Sequence, residues 1–163
     1  MIDVFLSASV PLPSRDKQFF NSADVLAIRE ALKALAEVVL PEGRLTCGGH
    51  PAITPLLALF VRERGLSKER VTIFQSELFA SLFPPELREF ADVRMVPRGE
   101  ELKASLTRMR EEMISSREFS SMVIIGGMEG VFEELEIFRN RHPKAVILPI
   151  ASTGADSDEA ARL

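Results

Sequence analysis

Three short stretches carry the residues whose types and spacing suit binding chemistry. In "LTCGGHPAIT" (45–54) an apolar run ends on Gly48, Gly49 and His50. In "VIIGGMEGVFEE" (123–134) another ends on Gly126 and Gly127, followed by Met128, Glu129, Gly130 and Val131. A third, "VFLSAS" (4–9), ends on the small residues Ser7, Ala8 and Ser9. Glycine permits positive φ and lacks the Cβ that would hold a ligand off the main chain. Unpaired N–H groups at such a turn, backed by a helix dipole, suit a phosphate. Glu129, Glu133, Glu134 and Glu136 crowd the segment after the second glycine pair. Such carboxylates repel an anion but accept hydrogen bonds from a ribose diol. Phosphate is therefore expected near Ser7–Ser9 and Gly48–His50, and sugar near Glu129–Glu134. A plain strand-to-helix turn also accounts for either glycine pair taken alone, and capping of a solvated helix for Glu133 and Glu136.

Other reactive side chains are fewer. His50 suits a phosphate donor or an acid, since imidazole titrates near neutrality, and equally suits a turn. His142, in "RNRHPKA", reads as a loop residue after a helix. Cys47 reads as a buried strand residue rather than a nucleophile. Arg15 and Lys17 follow the first run and either close over a ligand or form a surface loop. Two histidines and one cysteine, far apart in sequence, make no structural zinc site, and no metal or cofactor is expected.

These stretches need elements to position them. Apolar runs predict strands at 3–6, 44–47, 71–74, 93–96, 122–125 and 145–148, mostly continuous, as when helices cover both faces of a sheet. Val25, Ile28, Leu32, Leu35 and Val39 recur at helical spacing, with Ser22 or Asp24 as cap. A second helix is expected to start with Thr54 as cap and Pro55 as first residue, leaving 48–53 as a loop. Further helices are expected at 85–90, 100–115 and 130–140; Leu106, Met109 and Met113 read as the core side of one of them. Strand–helix alternation predicts an α/β fold: a Rossmann-like, doubly wound, mostly parallel sheet in a three-layer sandwich. One domain is expected over 1–150, with 151–163 as a final loop and tail or the entry to a further segment.

Composition limits the partners. With 163 residues, 46% of them apolar and a net charge of −4, the chain has the balance of one ordinary globular domain. That charge offers no general attraction for nucleic acid or an anionic membrane. No apolar run approaches the roughly 18–20 residues of a membrane span. "MIDVFLSAS" lacks the pattern of a secretion signal, so a cytoplasmic location is expected.

The residues also carry a resemblance. "GGMEGVFEE" resembles the Pro-Gly-Gly-x-Gly-Thr-x-x-Glu motif of the Lonely-guy phosphoribohydrolases, once called lysine decarboxylase-like. "LSAS" is similar to that family's first-strand Gly-Ser-Ser, and "TCGGHPAITPLLA" stands where it has a Gly-Gly-Gly turn into a helix. The match in order and spacing covers roughly 2–150 and is closest to the broader SLOG superfamily. That resemblance implies binding of nucleotide-derived ligands in bacterial conflict and signalling systems.

There are departures. Two residues, Met128 and Glu129, separate Gly126-Gly127 from Gly130 where the enzymes have one. Val131 replaces a phosphate-binding threonine and Ile125 a proline. Arg98 alone stands roughly where the enzymes carry a His-Glu-Arg-Lys segment, and Glu134 falls at the motif glutamate. The resemblance thus implies a sensor of a nucleotide or NAD-derived ligand, coupled to an effector domain or protein. The alternative is N-glycosidic hydrolysis of a nucleoside 5′-monophosphate, with Glu134 as the catalytic carboxylate and Arg98 or Arg15 on phosphate. A third reading is a structural domain with an empty crevice. A homo-oligomer is the general expectation for soluble chains.

Overall fold

The computed structural model of the chain describes residues 1–11, 13, 14 and 17–162. Arg15 therefore lies outside the described residues. Six parallel strands, β1 (Ile2–Ser9), β2 (Gly43–Gly48), β3 (Val71–Ser76), β4 (Asp92–Val96), β5 (Ser121–Gly126) and β6 (Val146–Pro149), form one sheet in the order β4-β3-β2-β1-β5-β6. The helices are α1 (Lys17–Phe20), α2 (Val25–Val39), α3 (Ile53–Glu63), α4 (Leu102–Ser115), α5 (Gly130–Arg141) and α6 (Ala155–Ala160). Short 3₁₀ turns complete the chain at Lys68–Arg70, Glu77–Leu82, Pro85–Glu89 and Ala151–Thr153. This is the Rossmann-like three-layer α/β fold that the alternation of apolar runs predicts.

Side-chain alternation along β1 divides the core. Val4 and Leu6 pack with Ile28, Leu32 and Ala36 of α2 and with Leu57 and Phe60 of α3. Phe5 turns the other way, against Met113 and Ile114 of α4 and Leu135 and Phe138 of α5. Each face of the sheet is thus sealed by a pair of helices. His142 ends α5 buried, its Nε2 2.8 Å from Ile114 O and its ring edge-on to Phe119.

Helix starts follow local chemistry. Asp24 caps α2, its carboxylate accepting the Ala27 N–H at 2.9 Å. The third helix begins at Ile53, before the expected Thr54 cap, because the His50 carbonyl accepts the N–H groups of Ile53 (3.1 Å) and Thr54 (2.9 Å). Thr54 serves from inside the helix, its hydroxyl accepting the His50 N–H at 3.2 Å. Pro55 remains in the first turn, where its missing N–H has no helical acceptor to lose.

The chain runs outward from β1 to β4, then returns to place β5 on the other side of β1. The order reverses between β1 and β5, and ligands of such sheets bind outside the carboxyl ends of the strands at that reversal. The segment after Pro149 packs back onto this region. Thr153 and Ser157 are fully buried, and Thr153 Oγ1 accepts the Gly126 N–H at 2.8 Å.

Candidate functional site

A hollow of about 1090 Å³ opens at the carboxyl ends of β1 and β2 and the start of α5. Ser7, Ala8 and Ser9 from β1, Gly48, Gly49 and His50 after β2, and Met128, Glu129, Gly130, Val131 and Glu134 from the α5 entry all line it. Three segments far apart in sequence thus meet around one space, with His50 and Met128 opening onto the same side of the molecule. Its volume is slightly above the usual range of roughly 300–1,000 Å³ for small-molecule sites.

Some candidates stand elsewhere. Gly126 and Gly127 are buried and do not line the hollow. Gly126 has φ of 63°, and a Cβ there would stand 2.5 Å from Ser9 O. The Gly127 N–H donates to the same carbonyl at 3.1 Å. This pair ties the end of β5 to β1. Arg98 is exposed between β4 and α4, outside the hollow, and Glu136 is exposed on α5.

The main-chain donors just after β2 are already engaged. Gly49 N–H donates to Phe74 O at 2.9 Å, His50 N–H to Thr54, and Ala52 N–H to His50 Nδ1 at 3.1 Å. The last contact makes Nδ1 the acceptor nitrogen of the ring and leaves the proton on Nε2. Gly49 has a packing reason as well: a Cβ would stand 1.8 Å from Gln75 Nε2.

Positive charge comes from α4, which supplies Lys103 and Arg110 along with Leu106 and Met109, while Glu101 lines the hollow from just before the helix. Arg110 Nη1 meets Glu133 Oε2 at 2.5 Å, and its Nε lies 3.7 Å from Glu134 Oε1. Thr107 Oγ1 donates to the second Glu133 oxygen at 2.5 Å. Ser7 Oγ donates to Glu134 Oε2 at 2.5 Å, linking β1 to α5 through the floor of the hollow. Burial pushes the Glu134 carboxyl above its ordinary range, against the opposing pull of the Ser7 hydroxyl and the Arg110 charge. Cys47 is buried nearby, its thiol pushed up to about 12 by burial and then by the Glu134 charge, so it is no nucleophile at neutral pH.

The model of the SLOG cluster3 family matches residues 18–162. The chain belongs to the SLOG cluster3 family. Searches of curated proteins and of solved structures returned no match. Among its described residues this SLOG domain has no helix long and apolar enough to cross a membrane, and no group of three His, Cys, Asp or Glu side chains placed to hold a metal. The sequence had not singled out Arg110 or Thr107. Their signal is a pair of polar residues three apart on a helix, on the face that meets the acidic start of α5.

Proposed function

We propose that this SLOG domain binds a nucleotide or NAD-derived small molecule in the hollow and passes occupancy to an effector domain or protein. The observation that carries the reading is the convergence of the β1, β2 and α5 segments on one space at the reversal of strand order. Glu129 and Glu134 offer acceptors to a ribose diol. Because the amides after β2 are engaged, the anionic part of the ligand falls to Lys103, Arg110 and the His50 ring.

Thermal-shift measurements with AMP, ADP-ribose and NAD test the reading, since a ligand that binds only the folded state raises its stability by mass action. A rise with at least one of them is expected. No rise with any, in a folded sample, leaves a structural domain with an empty crevice as the better reading.

One observation favours a second reading. A largely buried carboxyl displaced upward, hydrogen-bonded by Ser7 and lining a hollow, is the kind of group that hydrolases use. In that reading Glu134 stabilises an oxocarbenium-like sugar, and the base leaves a nucleoside 5′-monophosphate. Release of free base from AMP, abolished by Glu134→Ala, would establish it.

A further inference from the structure

Arg110 is the arginine of the hollow among the described residues, and it is not fully used. One side of its guanidinium is held by Glu133, itself steadied by Thr107 and about one-third exposed. The Nε is buried without a hydrogen-bond acceptor, since Glu134 stands 3.7 Å away, too far to accept from it. Glu134 spends its closer oxygen on Ser7 instead. One guanidinium is thus shared by two carboxylates, with a buried donor left over.

An arriving phosphate meets a local charge of −1 from this trio, counting Arg110 as +1 and Glu133 and Glu134 as −1 each. Three anionic groups around one guanidinium repel, and the least costly relief is to neutralise the carboxylate that water screens least. Glu133 keeps Thr107, Arg110 and solvent. Glu134 is the less exposed of the two, its side chain 15% exposed against 34% for Glu133. Its neighbours are Ser7 from β1, Arg110 from α4, Glu133 on its own helix and the Cys47 thiol from β2, uncharged at neutral pH. Further around the hollow stand His50, Glu101, Lys103 and Glu129. The Ser7 contact survives protonation, because a hydroxyl that donates to a carboxylate can turn and accept from a carboxylic acid.

We propose that an anionic ligand enters this hollow by exchange: its phosphate oxygens take over Arg110 from Glu134, and Glu134 acquires a proton from solvent. Binding is then coupled to the uptake of up to one proton, and affinity falls as pH rises. The inference rests on reading the hollow as the site of a phosphate-bearing ligand.

Calorimetry with ADP-ribose near neutral pH, in two buffers of different ionisation heat, reads the uptake directly. The diester pyrophosphate of ADP-ribose has no proton to exchange in that range, so any uptake belongs to the protein. Uptake approaching one proton is expected, with Kd weakening by up to about tenfold per pH unit. Glu134→Gln, which mimics the protonated acid, should lose both the uptake and the pH dependence, while His50→Gln and Glu133→Gln should keep the uptake. Equal heats in the two buffers, or uptake lost in His50→Gln and kept in Glu134→Gln, overturn the exchange while leaving the hollow a ligand site. No binding of ADP-ribose, NAD or AMP at any pH overturns the site reading and the exchange together.

Discussion

The guanidinium of Arg110 lies directly over Gly130, so close that a Cβ on that residue would stand 2.3 Å from Nη2. The first residue of α5 is therefore glycine for the sake of a side chain on α4. Arg110 reaches Glu133 and the floor of the hollow by crossing the bare main chain at the helix start.

Gly130→Ala separates the ligand role of that contact from its structural role. The atom in conflict is the end of a flexible side chain, and alanine favours a helix, so the fold should survive with Tm within a few degrees of native. Arg110 must swing off Glu133, and affinity for ADP-ribose should drop by about tenfold, or about 1.4 kcal/mol. Unchanged affinity in calorimetry would remove Arg110 from the binding account.

The other glycine pair makes a sharper contrast. A Cβ at Gly49 would enter the buried Gln75 amide, whereas one at Gly48 would touch Met109 and Met113 at an ordinary 3.7–3.9 Å. Gly49→Ala should lose about 1–3 kcal/mol in urea unfolding, and Gly48→Ala little, because overpacking costs only where a neighbour cannot give way. Adding Gln75→Ala to Gly49→Ala should recover part of the loss; no recovery would mean that Gln75 is not what Gly49 accommodates.

Much of this was legible beforehand because the two sheet faces are buried alike. Mostly apolar runs such as Val71–Phe74 and Met122–Ile125 leave little choice but inner parallel strands, and small residues at the carboxyl ends of β1, β2 and β5 fall where such sheets bind. What the glycines do was less legible. A glycine with positive φ, one cleared for Gln75 and one cleared for Arg110 look alike as letters, because the crowding atom belongs to a distant segment in each case. Arg110 was hidden for the same reason, since in "SLTRMREEM" it reads as one more solvated charge until α5 is placed against it. Thr153 and Ser157, in a small and acidic stretch, gave no apolar signal of their burial.

Two carboxylates should respond to pH with opposite sign. Glu134 has a folded pKa above its ordinary 4.5, so the folded state holds its proton more tightly and the fold loses stability as pH rises from about 4.5 through the folded value. Glu134→Gln should therefore gain in Tm over native as pH rises above that point, with little difference below it. Asp92 runs the other way. Burial raises its pKa, but Arg94 and Thr72 outweigh that and hold it below its ordinary 3.8. Its contribution is present above about 3.8 and lost as pH falls through the lower folded value. Asp92→Asn should cost under about 1 kcal/mol at neutral pH, fading in acid, since the pair with Arg94 is partly screened. Parallel pH curves for each variant and native would contradict these assignments.

Cys47 gives a probe that needs no ligand. Buried to 3% exposure and pushed up to about 12, its thiol has almost no thiolate at neutral pH. Ellman's reagent should leave the native protein unmodified over hours at mildly alkaline pH and titrate one thiol at once in guanidinium. Rapid reaction in the native state would show that β2 opens to solvent beneath the hollow.

Thr153 closes the end of β5. Its hydroxyl accepts from the Gly126 N–H at 2.8 Å, donates to Ile150 O at 2.6 Å and stands 2.7 Å from the Ser157 hydroxyl, with no exposure to water that could replace these bonds. Thr153→Val keeps the shape and removes all three contacts, leaving the buried Gly126 N–H without an acceptor, which costs about 1–3 kcal/mol. Thr153→Ser keeps the hydroxyl and gives up only a methyl group, so it should retain most of the stability. If the Gly126 turn is what the 151–160 segment secures, Thr153→Val should also speed hydrogen exchange at Gly126 and Gly127 beyond any general loss, and Thr153→Ser should not. A loss in Thr153→Ser with little or none in Thr153→Val would assign the effect to packing of the methyl group, and the turn between β5 and α5 would then stand without the hydroxyl of the segment that follows β6.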